Sequence, residues 1–243
     1  YRLQVVGVEH VPEKGGALLV CNHVSHADPA LILAALGRPV RFMMYRQYYE
    51  NRWLNPIAKT MRVIPIATTD GPRALVASFA EARRALEAGE LVCIFAEGSI
   101  TRIGQLLPFR AGFERIVRGL DVPIIPTYLD QMWGSIFSYH NGKFFWKIPQ
   151  EIPYPVSLNF GVPLSSGATV HDVRRAVQEL GAAAASNRTI SRSFLHSLLK
   201  FLARCCGIKG SNLSNFNLLH SGFLRMARRR WFAQCMVDTT GKS

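Results

Sequence analysis

Two histidines and an aspartate fall within six residues of one another in "VCNHVSHADPALILAAL", residues 20–36, between a short apolar run and a helix-like one. His23, His26 and Asp28 admit three chemistries. As ligands, His23-x2-His26-x-Asp28 would supply three donors to a hydrolytic zinc ion, a site that needs further ligands and supporting hydrogen bonds. As structure, Asp28 before Pro29 would cap a helix, with both histidines on a polar turn. As a base with its orienter, His23 would have one ring nitrogen held by the Asp28 carboxylate, which fixes the tautomer and stabilises the imidazolium. Such a base needs no serine or cysteine nucleophile beside it, because it can take the proton of a substrate hydroxyl directly.

A second polar cluster helps to choose. "FAEGSITRIG", residues 95–104, again sets an apolar run before a glycine turn, here with Glu97, Gly98, Ser99 and Arg102. Ligand sites in α/β sheets gather at the carboxyl ends of the strands, so two such clusters are harder to dismiss than one. His10, His140, His171, His196 and His220 show no clustering that supplies another metal ligand.

The elements that must carry these residues alternate. "ALLVC" (17–21), "VRFMMY" (40–45), "MRVIPIA" (61–67), "ELVCIFAEG" (90–98), "DVPIIPTYL" (121–129) and "VSLNFGVPL" (156–164) read as strands, with Pro65 marking an irregular or edge position. Asp28 as N-cap and Pro29 at the first turn open a helix that Gly37 closes. Residues 72–88 form the clearest helix: Pro72 starts it, Leu75, Phe79, Ala82 and Leu86 make an apolar stripe, and Gly89 stops it. "FERIVRGL" reads as a short helix, and Thr169 with Asp172 forms a capping box for a last one. The expected fold is therefore α/β, a single-layer, mostly buried sheet flanked by helices.

Composition sets the frame. Apolar residues are 49% of 243, enough for a substantial core. The net charge of +13 is uneven: residues 1–188 hold 20 basic and 15 acidic side chains, residues 189–243 hold 9 and 1. We therefore expect one domain at 1–188 and, at 189–243, a basic helical C-terminal extension, with acidic partners such as nucleic acid, anionic lipid or an acidic carrier protein. No recognisable nucleic-acid motif accompanies that basic tail. No apolar run reaches the ~20 residues of a spanning helix. Cys21 and Cys93 lie in strand-like runs as buried thiols, and the five cysteines match no zinc pattern, which suits a reducing, cytoplasmic setting. The chain opens at Tyr1, directly into "YRLQVVGVEHVP", and reads as a piece of something longer.

Taken together, "NHVSHAD" resembles the N-H-x4-D motif of the glycerophospholipid acyltransferase family, which includes the 1-acylglycerol-3-phosphate acyltransferases. "FAEGSITRIG" resembles that family's F-P-E-G motif, and "VPIIPT" (122–127) its downstream proline-containing strand. The resemblance covers residues 1–188 and implies a glycerol-phosphate acyltransferase-like fold. It implies transfer of an acyl group from acyl-coenzyme A or acyl carrier protein to a hydroxyl of a lysophospholipid or acylglycerol phosphate. His23 would be the general base and Asp28 its orienter; Glu97, Gly98, Ser99 and Arg102 would bind the acceptor. It implies no cofactor beyond the thioester co-substrate, no metal, and a peripheral place on the cytoplasmic face of a membrane.

Two positions depart from the family pattern. The arginine expected three residues after the glutamate is Ile100, with Arg102 two further on, and the arginine expected after the third strand falls at Ala67 or Thr68, with Arg62 before it. The variant resembles members joined to an acyl-carrier-protein synthetase, and "FAQCMVDTTGKS" resembles the opening of an adenylate-forming domain, truncated soon after. Arg110 reads as a solvated helix-start residue, with donor phosphate contact as the alternative. Tyr48, Tyr49 and Trp53 read as core aromatics, with a lipid-facing entrance as the alternative. The rival functions are a metal-dependent hydrolase and a non-catalytic membrane-binding module.

Overall fold

A strand that is apolar at every position must be covered on both faces, and the computed structural model shows how. β2 (Ala17–Cys21) sends Ala17, Leu19 and Cys21 to one side of a sheet and Leu18 and Val20 to the other, all fully buried. That split is the two-residue period of a strand with helices on both faces. The structure describes residues 1–66, 71–142, 144–145 and 153–186. The expected basic extension and truncated domain start at 189–243 lie outside them, as do Ala67 and Thr68.

Among the described residues six more strands join the sheet: β1 (Arg2–Val6), β3 (Val40–Tyr45), β4 (Ile64–Ile66), β5 (Leu91–Phe95), β6 (Ile124–Asp130) and β7 (Pro155–Phe160). Their order is β1-β7-β6-β2-β5-β3-β4. Every neighbouring pair is parallel except β6 with β7. Pro65 sits on edge strand β4, where its missing N–H costs least. β1 was not anticipated; it is the other edge, and its alternating half-buried side chains give a weak apolar signal.

Among the described residues six α-helices follow in chain order: α1 (Asp28–Ala35), α2 (Arg46–Tyr49), α3 (Asn55–Thr60), α4 (Pro72–Glu87), α5 (Gly112–Val117) and α6 (Val170–Ser186). α4 buries Phe79, Ala82, Ala85 and Leu86, as its stripe requires, and the Ser78 hydroxyl donates to the Pro65 carbonyl at 2.7 Å. At α6 the capping box forms: the Thr169 hydroxyl and N–H both donate to the Asp172 carboxylate. The aromatic stretch after β3 divides its residues. Tyr49 packs on the core, but Tyr48 and Trp53 are exposed, so for those two the expectation of core burial is corrected.

Just beyond the end of β2, Asn22 continues the ladder with its side chain. Its Oδ1 accepts the Leu129 N–H at 2.8 Å, and its Nδ2 donates to the Leu129 carbonyl at 3.0 Å, at 3% exposure. Replacing it with Leu would leave both Leu129 groups buried and unpaired. At about 1–3 kcal/mol per orphaned group, Asn22→Leu is expected to lower unfolding stability by about 2–4 kcal/mol in urea titration with an unchanged m-value. A loss under about 0.5 kcal/mol would contradict this role.

Candidate active site

The strand register joins two motifs 74 residues apart. β2 and β5 are neighbours with Cys21 opposite Phe95, so two residues further along each chain His23 faces Glu97. The contact is direct: the His23 N–H donates to Glu97 Oε1 at 3.0 Å. The Thr101 N–H in turn donates to the His23 carbonyl at 2.9 Å, which docks the 98–107 loop onto the histidine turn.

Asp28 is fully buried, and its carboxylate points back into residues 23–25. Oδ2 lies 2.9 Å from His23 Nδ1 and also accepts the N–H groups of Val24 (2.7 Å) and Ser25 (2.9 Å); the Ser25 hydroxyl donates to Oδ1 at 2.7 Å. A carboxylate surrounded by donors acts as an acceptor, so the network assigns the proton to His23 Nδ1 and leaves Nε2 as the basic nitrogen. Here the expected helix-capping role is corrected. α1 is preceded by Ala27 and has no side-chain cap, because Asp28 holds the turn and the imidazole instead.

The imidazole is clamped on its flat side too. The Phe95 ring stacks on it at 4.0 Å between centroids and 15° between planes, and Phe42 lies behind Phe95 at 6.3 Å. An aromatic face beside a ring that gains positive charge is electrostatically favourable. Sequence reasoning missed Phe95, Asn22 and Ser25. The register that brings Phe95 beside His23 is a property of the sheet, although "NH" and "FAE" both stand at ends of apolar runs.

Glu97 reads differently in three dimensions. It is 4% exposed, and its second oxygen accepts the Leu107 N–H at 3.1 Å. Both oxygens therefore fasten backbone, one on each side of the turn. Gly98 follows with φ of +72°; a Cβ there would come within 2.7 Å of the Arg110 Nε, so the Arg110 side chain lies across the turn. Ser99 and Arg102 are exposed on the same loop, with the Arg102 guanidinium 5.1 Å from the Tyr139 ring centre. Arg62 is turned away into an ion pair with Glu90.

His26 does not join His23 and Asp28. Its ring lies among Tyr48, Phe144 and Phe145, at 5.9, 4.7 and 5.9 Å between centroids, and burial, then the nearby His23, lower its pKa. Among the described residues no three His, Cys, Asp or Glu side chains are grouped to hold a metal ion. Burial lifts Glu97 from its ordinary 4.5 to about 7, against the pull of its two backbone donors. A carboxyl whose folded pKa is raised binds its proton more tightly when folded. Its contribution to stability is complete below about pH 4.5 and is lost as pH rises through about 7. Wild type is therefore expected to lose stability relative to Glu97→Gln between pH 5 and 8 in paired denaturant titrations. Parallel pH curves for the two proteins would contradict a raised pKa.

This geometry can be set beside known proteins. The family model described as Acyltransferase matches residues 2–130. A "Probable 1-acyl-sn-glycerol-3-phosphate acyltransferase" of Mycoplasma pneumoniae is 25% identical over 68% of this chain and 62% of its own length. A "1-acyl-sn-glycerol-3-phosphate acyltransferase" of Limnanthes douglasii is 25% identical over 68% of this chain and 55% of its own. The chain thus spans less than two thirds of either relative. In fold it is similar to the crystal structure of the 1-acyl-sn-glycerophosphate acyltransferase PlsC from Thermotoga maritima, with a TM-score of 0.60 over 77% of this chain and 73% of that one, at 22% identity. The matched segment is more than half of the sequence and contains the His23–Asp28 pair, the Glu97 turn and six of the seven strands: this chain belongs to the Acyltransferase family.

Proposed function

We propose that this chain is a glycerophospholipid O-acyltransferase that moves a fatty acyl group from an acyl thioester to the free hydroxyl of a lysophosphatidate or related lysophospholipid. The observation that carries this is the His23–Asp28 pair, a base with its orienter just past the carboxyl end of β2. The names of the similar proteins support the substrate class. His23 Nε2 takes the acceptor's hydroxyl proton as that oxygen forms a bond to the thioester carbonyl carbon. The tetrahedral intermediate then expels the thiolate, which leaves with the proton from His23 as a thiol. Asp28 and Phe95 hold the imidazole through both steps.

Acyl-coenzyme A and acyl carrier protein both present the required thioester. The resemblance to synthetase-fused members favours the carrier protein, and the bilayer-resident acceptor favours a peripheral position on the cytoplasmic face of a membrane. The acceptor's phosphate is assigned to Arg102, an exposed guanidinium on the loop docked against His23, since arginine offers paired donors to phosphate oxygens.

His23→Ala is expected to lower kcat about 10²–10⁴-fold, the usual range for removing a general base, with an unchanged circular dichroism spectrum. Turnover near that of wild type would end this mechanism. Arg102→Ala is expected to raise KM for lysophosphatidate about tenfold, on the order of one lost charge-assisted bond. Its KM for an uncharged monoacylglycerol should stay as in wild type, and an equal rise for both acceptors would remove the phosphate role.

A further inference from the structure

Four of the exposed large apolar side chains among the described residues fall within ten positions: Tyr48 at 49% exposure, Trp53 at 79%, Leu54 at 40% and Ile57 at 58%. Ile57, in α3, lies four and three residues after the adjacent Trp53 and Leu54, which sit on the turn that leads into that helix. That spacing puts them on one side, while Ala58 and Tyr49 turn inward to anchor the segment. Water-facing apolar clusters of this kind mark interaction surfaces.

Charge says what the surface meets. Residues 46–62 contain four basic side chains, Arg46, Arg52, Lys59 and Arg62, and one acidic, Glu50. Arg52 and Lys59 are exposed beside the apolar residues, and the Arg52 guanidinium lies 5.6 Å from the Trp53 ring centre. Arg62 is neutralised by Glu90. Tryptophan, tyrosine and aliphatic tips flanked by cations suit the boundary between acyl chains and anionic headgroups.

Position gives the surface a purpose. The Tyr48 ring meets the His26 ring edge-on at 5.9 Å, and His26 stacks on the half-exposed Phe145. His26 belongs to the turn that holds His23 and Asp28. An unbroken series of rings therefore runs from the exposed cluster to the catalytic turn, a path suited to an acyl chain entering from a bilayer. We infer that the Tyr48–Lys59 surface seats this chain on an anionic lipid bilayer and hands the lipid acceptor to His23 along Tyr48, His26 and Phe145. The hand-over rests on the acyltransfer reading; the seating does not.

The test uses the full chain with vesicles of phosphatidylcholine, with and without 30% phosphatidylglycerol. Wild type should sediment with the anionic vesicles, and Trp53→Ser/Leu54→Ser/Ile57→Ser should partition at least about tenfold less. Arg52→Glu/Lys59→Glu should lose the preference for anionic vesicles. Lipids brominated on the acyl chains should quench tryptophan fluorescence in wild type and less in Trp53→Phe, which reports insertion at this position. Equal partition of the triple variant, equal quenching, or concentration-dependent dimerisation through Trp53 in its place would overturn the surface. For the hand-over, the triple variant should keep wild-type kcat/KM on a water-soluble short-chain lysophosphatidate and lose it on vesicle-borne acceptor. Equal loss on both acceptors would overturn the hand-over. A wild type that seats but acylates neither would overturn the function and leave the seating intact.

Discussion

The Asp28 carboxylate is the constraint around which the site is arranged. A fully buried carboxylate is costly unless its lone pairs are met, and this one receives two backbone N–H groups, a hydroxyl and the His23 ring. Meeting those lone pairs forces residues 23–25 to curl back over the start of α1. The curl holds the imidazole against Phe95 and leaves the far ring nitrogen without the proton. One interaction thus fixes tautomer, ring plane and loop path together. The serine between the histidines earns its place here, since Ser25 supplies both an N–H and an O–H to the same carboxylate and takes the Ala27 N–H on its own oxygen.

What carries this local geometry to the rest of the molecule is the pairing of β2 with β5 on one side and β6 on the other. Cys21 lies opposite both Phe95 and Thr127, so three chain segments end at one level. Asn22 then clamps β6 through Leu129, and Glu97 clamps the His23 backbone from β5. A slip of one residue between β2 and β5 would turn Phe95 from the imidazole to the opposite face of the sheet. The uninterrupted apolar character of β2 and β5 protects against that slip only because the two faces demand different partners: Phe42 and Ile32 on one, Phe79 and Phe113 on the other.

The sequence disclosed the parts whose signal is local. The runs at 17–21 and 91–95 had to be buried strands, the stripe at Leu75, Phe79, Ala82 and Leu86 had to be a helix, and the pairing of His23 with Asp28 was one of three stated options. Orientation was not local. Asp-Pro at the head of a helix reads the same whether the carboxylate caps forward or folds backward, and only the 22–26 loop decides. Glu97 has the composition of a ligand-binding residue, yet both its oxygens are taken by backbone that the sheet brings near. The antiparallel pairing of β6 with β7 depends on contacts about thirty residues apart, and edge strand β1 has too little buried surface to announce itself. Tyr48 and Trp53 went the other way, because an aromatic run carries no mark of which rings face water.

Division of labour between the two carboxylates follows from their surroundings. Asp28 is supplied with a hydroxyl and an imidazole as well as backbone donors, whereas Glu97 has one backbone N–H per oxygen and a deep apolar setting. Burial therefore dominates at Glu97 and lifts its pKa to about 7. The same poverty of donors makes Glu97 a pin whose grip depends on its charge, since an ionised carboxylate holds two N–H groups more strongly than a neutral one. That pin fastens the histidine turn on one side and Leu107, at the end of the loop that bears Arg102, on the other. His23 and the segment bearing the exposed Arg102 are thus fastened to one buried carboxylate, each of whose oxygens accepts one backbone N–H.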